Sequence, residues 1–366
     1  MDIVAGDWQP SFNGVADLIA SRIEDGTDLG CGVTVIADGE VLVDIRAGYA
    51  NRKKDAPFGD PLLSIYSAGK AVLAALVMKA VAEGELDYDQ PVAELWPDFG
   101  AVGKDQLTLA EVMSHQAGLP GFTDETDPAI WLDWDATCAK LAAMEPMWAP
   151  GTANGYHPQT VGYIAGEAYR RATGRTVGEA LRDLGLDCYC GMTPDEQARA
   201  GFMQKPPAPA DLGTIDEPTK AAFLKPWSAA AKVSREDWMA AEIPASNMHA
   251  TSLGLAQAMQ AFATGRINGA AFVPDDAREA AMAERIAGPD KVLPFDLSWG
   301  AGVMRNRGGH LGPSASAVGH FGFGGSLGMA DPDAGLSVAY LPSRMLGVLV
   351  GGERTSHLLD EIYRAL

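Results

Sequence analysis

Histidine is scarce in this chain, six in 366 residues, and the six are scattered. No H-E-x-x-H or H-x-H places two imidazoles on one face, so no zinc-binding motif is legible. No G-x-G-x-x-G or P-loop stands between a strand and a helix, as phosphate binding needs. Cysteine is nearly absent too. Cys31, Cys138, Cys188 and Cys190 are too few for a disulfide framework in a chain this long. Cys188 and Cys190 form a C-x-C, but no second pair or nearby histidine completes a metal site, and all four read as free thiols. Positive charge is short: 28 Lys and Arg face 48 Asp and Glu, a net charge of −20. That balance argues against nucleic acid or an anionic membrane as partner. The longest uncharged apolar run, Ala71 to Met78, is far shorter than a bilayer span. The first residues show neither the basic nor the apolar region of a secretory signal. The expectation is a cytoplasmic protein without metal or cofactor, acting on a small molecule. Oligomeric state is not readable.

What is present centres on Ser67-Ala68-Gly69-Lys70 and the apolar run that follows. Val72, Ala75, Leu76 and Lys79 share one helical face, and Leu73, Val77 and Ala80 fill the next. Lys70 is the only charge among ten small or apolar residues. On a helix it sits one turn from Ser67. Burial lowers the pKa of such a lysine toward neutrality, so it can take a proton from the serine hydroxyl. The free N–H groups of a first helical turn favour developing negative charge. Alone, S-x-x-K is a weak pattern, although it occurs once here. The remaining chemistry must lie elsewhere.

The pattern of the rest is β at both ends and helical between. Gly32 to Ile36 and Val41 to Ile45 flank Ala37-Asp38-Gly39-Glu40, a D-G hairpin signal. A helix is predicted over 11–28. From about 86 to 250 strand signals nearly vanish. Thr108-Leu109-Ala110-Glu111 and Thr176-Val177-Gly178-Glu179 read as capping boxes, and Gly174 stops a helix begun at Thr160. A helix is predicted at Ser252–Gly265. Trp299 to Met304, Ala317 to Ala330 and Gly335 to Leu341 read as strands, with Val348–Val350 as a further one and a closing helix from Ser356. The simplest architecture is α+β, an α/β sandwich. Residues 1–85 and 250–366 would build an antiparallel sheet with packed helices, and 86–249 would form an inserted all-α domain. A cleft between the two is the expected site.

Three further stretches carry candidate chemistry. Tyr156, in a loop just before a helix, would be a second base, its phenol pKa lowered by a nearby lysine ammonium. The bland alternative is a tyrosine packing at a helix start. Gly319 to Gly328 is dense in glycine inside a predicted strand, which suggests a close approach to the backbone. The Phe323 N–H is the candidate second oxyanion donor, although the glycines would also suit a bulge. Gly324-Gly325-Ser326-Leu327-Gly328 matches the G-x-S-x-G elbow of α/β-hydrolases, but the following segment reads as strand and not helix. His115 reads as a loop-ordering residue.

Together these pieces resemble the serine β-lactamase-like superfamily, most closely its class C-like branch and the family VIII carboxylesterases. Ser67-Ala68-Gly69-Lys70 is similar to its S-x-x-K motif. Leu107-Thr108-Leu109 with Ser114 to Pro120 is similar to its "LTL…HTSGLP" segment. Tyr156 falls in its second motif, and His320-Phe321-Gly322 resembles the third, K-T-G in β-lactamases and often H-x-G in the esterases. The resemblance implies a β-lactamase/penicillin-binding-protein-like fold, Ser67 as acylated nucleophile, and Lys70 and Tyr156 as the base network. It also implies the Ser67 and Phe323 N–H groups as oxyanion hole, with His320 and Gly322 lining the substrate site. Two departures matter. Pro158 stands where the lactamases have the Asn of Tyr-x-Asn, and His320 replaces the lysine that would fix a lactam carboxylate. Both favour a carboxylesterase of small apolar esters over a β-lactamase, a D-amino acid amidase or a peptidase. A catalytically silent binding module is the remaining, non-enzymatic reading. Trp131, Trp134, Trp148 and Trp227 would wall an apolar pocket, Trp131 and Trp148 foremost, with ordinary core packing an equal alternative for each.

Overall fold

The computed structural model describes residues 3–225 and 233–366, so Trp227 lies outside the described residues. A nine-stranded sheet forms the frame. Its strands are β1 (Val4–Trp8), β2 (Gly30–Ala37), β3 (Glu40–Gly48), β4 (Ile286–Pro289), β5 (Asp296–Trp299), β6 (Met304–Arg305), β7 (Val318–Gly322), β8 (Ser326–Asp331) and β9 (Leu336–Pro342). Their spatial order is β1-β3-β2-β9-β8-β7-β6-β5-β4, with every pair antiparallel. The two chain ends meet at the β2–β9 pair, where Val35 lies opposite Val338.

Helices cover both faces of the sheet. On one face, Val33 and Val35 of β2 and Val338 and Tyr340 of β9 pack with α1 (Asn13–Glu24) and the last helix (Glu353–Ala365). On the other, Ile36, Ala339 and Leu341 join a second core with the helix Ser252–Ala263. Alternate residues thus point into two different cores. The Ser67 helix, α2 (Gly69–Ala82), lies inside this second core, with Gly69 to Met78 and Ala80 buried. A helix apolar on all sides belongs in the interior. Val161 and Ile164 of the helix Thr160–Thr173 share that core with Val72 and Leu76.

Local signals explain many boundaries. Asp38 and Gly39 carry φ of 47° and 83°, the pair of positive values that a two-residue hairpin of this hand requires. Thr108 and Thr176 each cap a helix through a reciprocal bond set with Glu111 and Glu179. Gly174 ends its helix at φ 71°.

Four readings need correction. Trp299 to Met304 is a tight hairpin, with Trp299 paired to Met304. Ala317 to Ala330 is two strands, β7 and β8, reversed at Phe323-Gly324-Gly325, where both glycines have positive φ. Burial on both faces removed the polar breaks that would have marked the turn. Residues 348–350 form no strand; the Gly324 N–H donates to Val348 O and the Leu346 N–H to Gly324 O, so this segment straps the hairpin tip. A small sheet of Leu63–Ser64, His249–Ala250 and Cys188–Tyr189 lies partly in the stretch read as helical. All four cysteines are free and buried. No helix among the described residues is long and apolar enough to cross a membrane.

Candidate active site

Ser67 sits where strand becomes helix. Leu63–Ser64 leads into a 3₁₀ turn, Tyr66–Ala68, and α2 continues from Gly69. The serine therefore precedes the α-helix proper. Lys70, three residues on in the first turn of α2, falls beneath Ser67. Tyr66 holds φ 47°, a left-handed conformation rare for a bulky side chain. Its neighbours impose it. The Ile65 N–H donates to Met248 O (2.9 Å), Ile65 O accepts from Ser326 Oγ (3.0 Å), and the Tyr66 hydroxyl reaches Met345 Sδ (3.9 Å).

Lys70 is 3% exposed. Its Nζ lies 3.0 Å from Ser67 Oγ, 2.7 Å from Pro158 O and 2.9 Å from Ala245 O. Behind it is a void of about 10 Å³, lined by Leu73, Met113, His115 and Val161, room for one water at most. Burial without a carboxylate partner pushes the lysine pKa well below its ordinary value. A neutral amine has two N–H bonds and one lone pair. The two carbonyls accept the N–H bonds, so the lone pair faces the serine hydroxyl. Donor count and pKa direction both suit Lys70 to taking a proton from Ser67.

Tyr156 stands on the other side of Lys70, its ring centre 4.9 Å from Nζ. Its pKa is raised, first by burial, with the Ser67 hydroxyl acting in the opposite sense. The lowered phenol expected from the sequence is thus overturned. With Lys70 held toward neutrality, no fixed ammonium stabilises a phenolate, and desolvation decides. The loop carrying Tyr156 is tied from three sides. Asp290 accepts the Tyr156 N–H, the Val292 N–H and the Leu293 N–H on one oxygen and Asn154 Nδ2 on the other, each at 2.9 Å. His115, at φ 65°, takes the His157 N–H on Nδ1 (3.1 Å) and offers its carbonyl to the Gly155 N–H (3.0 Å). His157 accepts the Leu119 N–H on Nε2 and donates from Nδ1 to Gly155 O, which fixes its tautomer. Burial keeps the His157 pKa at about 3.

The third wall is β7. His320 is 2% exposed and donates from Nδ1 to Phe321 O (2.6 Å), leaving Nε2 an acceptor without a partner among the described residues. Burial holds its pKa at about 3, so the ring is neutral. The close approach foreseen for the glycines is made by Ile65. A Cβ on Gly322 would fall 2.1 Å from Ile65 O. The hairpin tip then presents Phe323, whose ring meets Tyr66 edge-on at 5.8 Å. Neither the Ser67 N–H nor the Phe323 N–H has a partner within the described residues. Both are donors free for an oxyanion.

Ser326 is no nucleophile elbow. It opens β8, follows a strand and not a strand-to-helix turn, and spends its hydroxyl on Ile65 O. Trp131 is also displaced from its expected place: 2% exposed, it stacks on Phe122 at 4.8 Å inside the core. Trp134 donates to Glu167. Trp148 packs over Gly155 and donates to Ala153 O (3.0 Å), supporting the Tyr156 loop. Sequence reasoning missed Asp290, the anchor of that loop, and Tyr66, the strained residue before the serine. Asp290 had no motif around it. Tyr66 carries no sequence mark of positive φ.

The chain is similar to known proteins over nearly its whole length. The family described as Beta-lactamase matches residues 15–359. The esterase/beta-lactamase LipL of Mycobacterium tuberculosis is 31% identical over 370 residues, covering 95% of this chain and 84% of its own length. A penicillin-binding protein homolog from Caulobacter crescentus superposes at TM-score 0.96 with 45% identity, covering 99% of this chain and 100% of its own. A family VIII carboxylesterase superposes at TM-score 0.92 with 33% identity and the same coverage. A serine with a desolvated lysine beneath it, in a fold shared at this level, leaves one assignment: the chain belongs to the beta-lactamase family and is a serine hydrolase of that superfamily.

Proposed function

We propose that the chain is a carboxylesterase that hydrolyses small, apolar, short-chain acyl esters through an acyl-enzyme on Ser67. Lys70 accepts the Ser67 proton as Oγ attacks the ester carbonyl. The Ser67 and Phe323 N–H groups stabilise the oxyanion. The proton returns through the Lys70–Tyr156 pair to the departing alcohol. The same pair then takes a proton from water, which attacks the acyl carbon and frees the carboxylic acid and Ser67.

The observation that supports esters over lactams is the neutrality of His320, with a pKa of about 3. At neutral pH the third motif offers no cation to a substrate carboxylate. Pro158 adds to this, since it has no side-chain amide and its carbonyl is occupied by Lys70. The name of the carboxylesterase neighbour favours the same reading, while that of the Mycobacterium relative carries both activities. The alternative, a β-lactam or D-amino acid amide hydrolase using the same residues, draws on the likeness to the penicillin-binding protein homolog.

The test is a comparison of kcat/KM for p-nitrophenyl acetate, butyrate and octanoate with kcat/KM for a chromogenic cephalosporin and a D-amino acid anilide. Ester turnover exceeding both others by about two orders of magnitude is expected, roughly 2.7 kcal/mol of transition-state discrimination. Cephalosporin or anilide turnover equal to or above that of the esters contradicts the reading.

A further inference from the structure

A cavity of about 430 Å³ opens at the last turns of α1, beside the 346–352 strap and the first turn of the last helix. No residue of the Ser67 site lines it, although Gly325 of the hairpin tip does.

Two buried guanidinium groups line the cavity, Arg22 and Arg354, at 5% and 6% exposure. The buried carboxylate beside them is Asp28. Arg354 Nη1 donates to Asp28 Oδ1 (2.9 Å) and Arg344 O (2.8 Å), and its Nη2 donates to Gly324 O (2.7 Å). Arg22 Nη2 donates to Arg354 O (2.7 Å). The Tyr340 hydroxyl also donates to Asp28. Arg22 Nη1 and Arg354 Nε have no partner among the described residues. Two buried cations thus face one buried anion, with two charged N–H donors unsatisfied. An uncompensated buried charge of this kind is costly unless something completes it.

A second feature points the same way. The last helix starts at the cavity wall without a side-chain cap, and Gly352, Arg354 and Thr355 of its start line the space. The positive end of a 13-residue helix therefore adds to the guanidinium field. Asp25 and Glu353 lie on the exposed rim, where water screens them.

We infer that this cavity binds a small oxyanion, a carboxylate or a phosphate, between Arg22, Arg354 and the start of the last helix. Arg354 holds the Gly324 carbonyl, and a Cβ on Gly325 would fall 2.6 Å from Arg354 Nη2. The bound anion therefore steadies the hairpin that carries the Phe323 N–H. This consequence for turnover rests on the Ser67 reading; the binding itself does not.

Calorimetric titration with sodium phosphate, and separately with sodium acetate and butyrate, tests it at ionic strength held constant with sodium chloride. The proteins are wild type, Arg22→Gln, Ser21→Glu and Gln106→Glu. Ser21 is an exposed wall residue, so Ser21→Glu places a carboxylate in the cavity without touching the core, and it carries the test where Arg22→Gln fails to fold. Gln106→Glu adds the same charge in the helical segment. Saturable binding of one anion in wild type and Gln106→Glu, weakened about tenfold or more by Ser21→Glu, is expected; which salt binds tells phosphate from carboxylate. No saturable binding of either anion overturns the inference. So does equal binding in wild type and Ser21→Glu.

Discussion

Lys70 and Tyr156 face each other beside Ser67, with the lysine Nζ 4.9 Å from the ring centre and both groups buried. Burial lowers the lysine pKa and raises the tyrosine pKa, so both shifts favour the uncharged pair. On the proposed mechanism the active form is the neutral amine. kcat/KM should rise with pH to a plateau, with an apparent pKa well below the ordinary lysine value. Lys70→Arg cannot deprotonate and should lower kcat by about 10² to 10⁴. A flat pH profile, or activity retained in Lys70→Arg, would contradict this assignment.

Asp290 anchors Tyr156 without touching Ser67. Asp290→Ala leaves four donors without their acceptor. It should cost about 1–3 kcal/mol of stability and lower kcat more than it changes KM. Asp290→Asn keeps one carbonyl oxygen for the three backbone N–H groups and should recover much of the loss. Urea unfolding combined with ester kinetics reads both effects; equal kcat in Asp290→Ala and wild type would remove Asp290 from the site.

Gly322 is required by the approach of Ile65. Gly322→Ala places a methyl 2.1 Å from Ile65 O and from Ser326 Oγ. The strand must move away from the Ser67 turn, at a cost of about 1–3 kcal/mol. Ester kcat should fall by an order of magnitude or more in protein that still folds, measured by circular dichroism beside the kinetics. Ser326→Ala removes only a structural hydrogen bond and should cost about 1 kcal/mol with activity retained.

Acid should unfold the protein early. Burial holds the folded pKa of His157 and His320 at about 3 and of His249 at about 4, and pushes His115 down as well. An unfolded imidazole titrates near ~6.5. Between the folded and unfolded values the unfolded chain binds more protons, so stability falls as pH drops from about 6.5. Each such histidine contributes about 1 kcal/mol of loss in the first full pH unit below that point, approaching about 1.4 per unit further down. Asp28 and Asp290, with pKa values raised by burial, act in the opposite sense as they protonate. Urea midpoints measured from pH 7.5 to 4.5 check the slope; a midpoint unchanged across that range would contradict it.

The candidate nucleophile, its candidate base and the hairpin glycines could be singled out because each sits in a local pattern: S-x-x-K before an apolar helix, and glycine within a strand. The β2–β3 hairpin was legible because Asp38-Gly39 accepts positive φ at both positions. What stayed hidden depends on distance or on burial. Asp290 lies 134 residues from the Tyr156 amide that it accepts, and nothing local announces the bond. The β7–β8 turn was masked because strands buried on both faces lose their polar alternation. Trp131 offered the same aromatic surface to a core as to a pocket, and only packing against Phe122 decided between them. The tyrosine pKa was misjudged in sign because its partner's charge was assumed, while burial removes that charge.

The central claim, an acyl-enzyme on Ser67, is tested most directly by intact mass and peptide mapping after reaction with a fluorophosphonate. Wild type and Ser326→Ala should each gain one phosphonyl group, mapped to the peptide that holds Ser67, and Ser67→Ala should gain none. Labelling of Ser67→Ala at the wild-type rate, or a label on Ser326, would contradict the account.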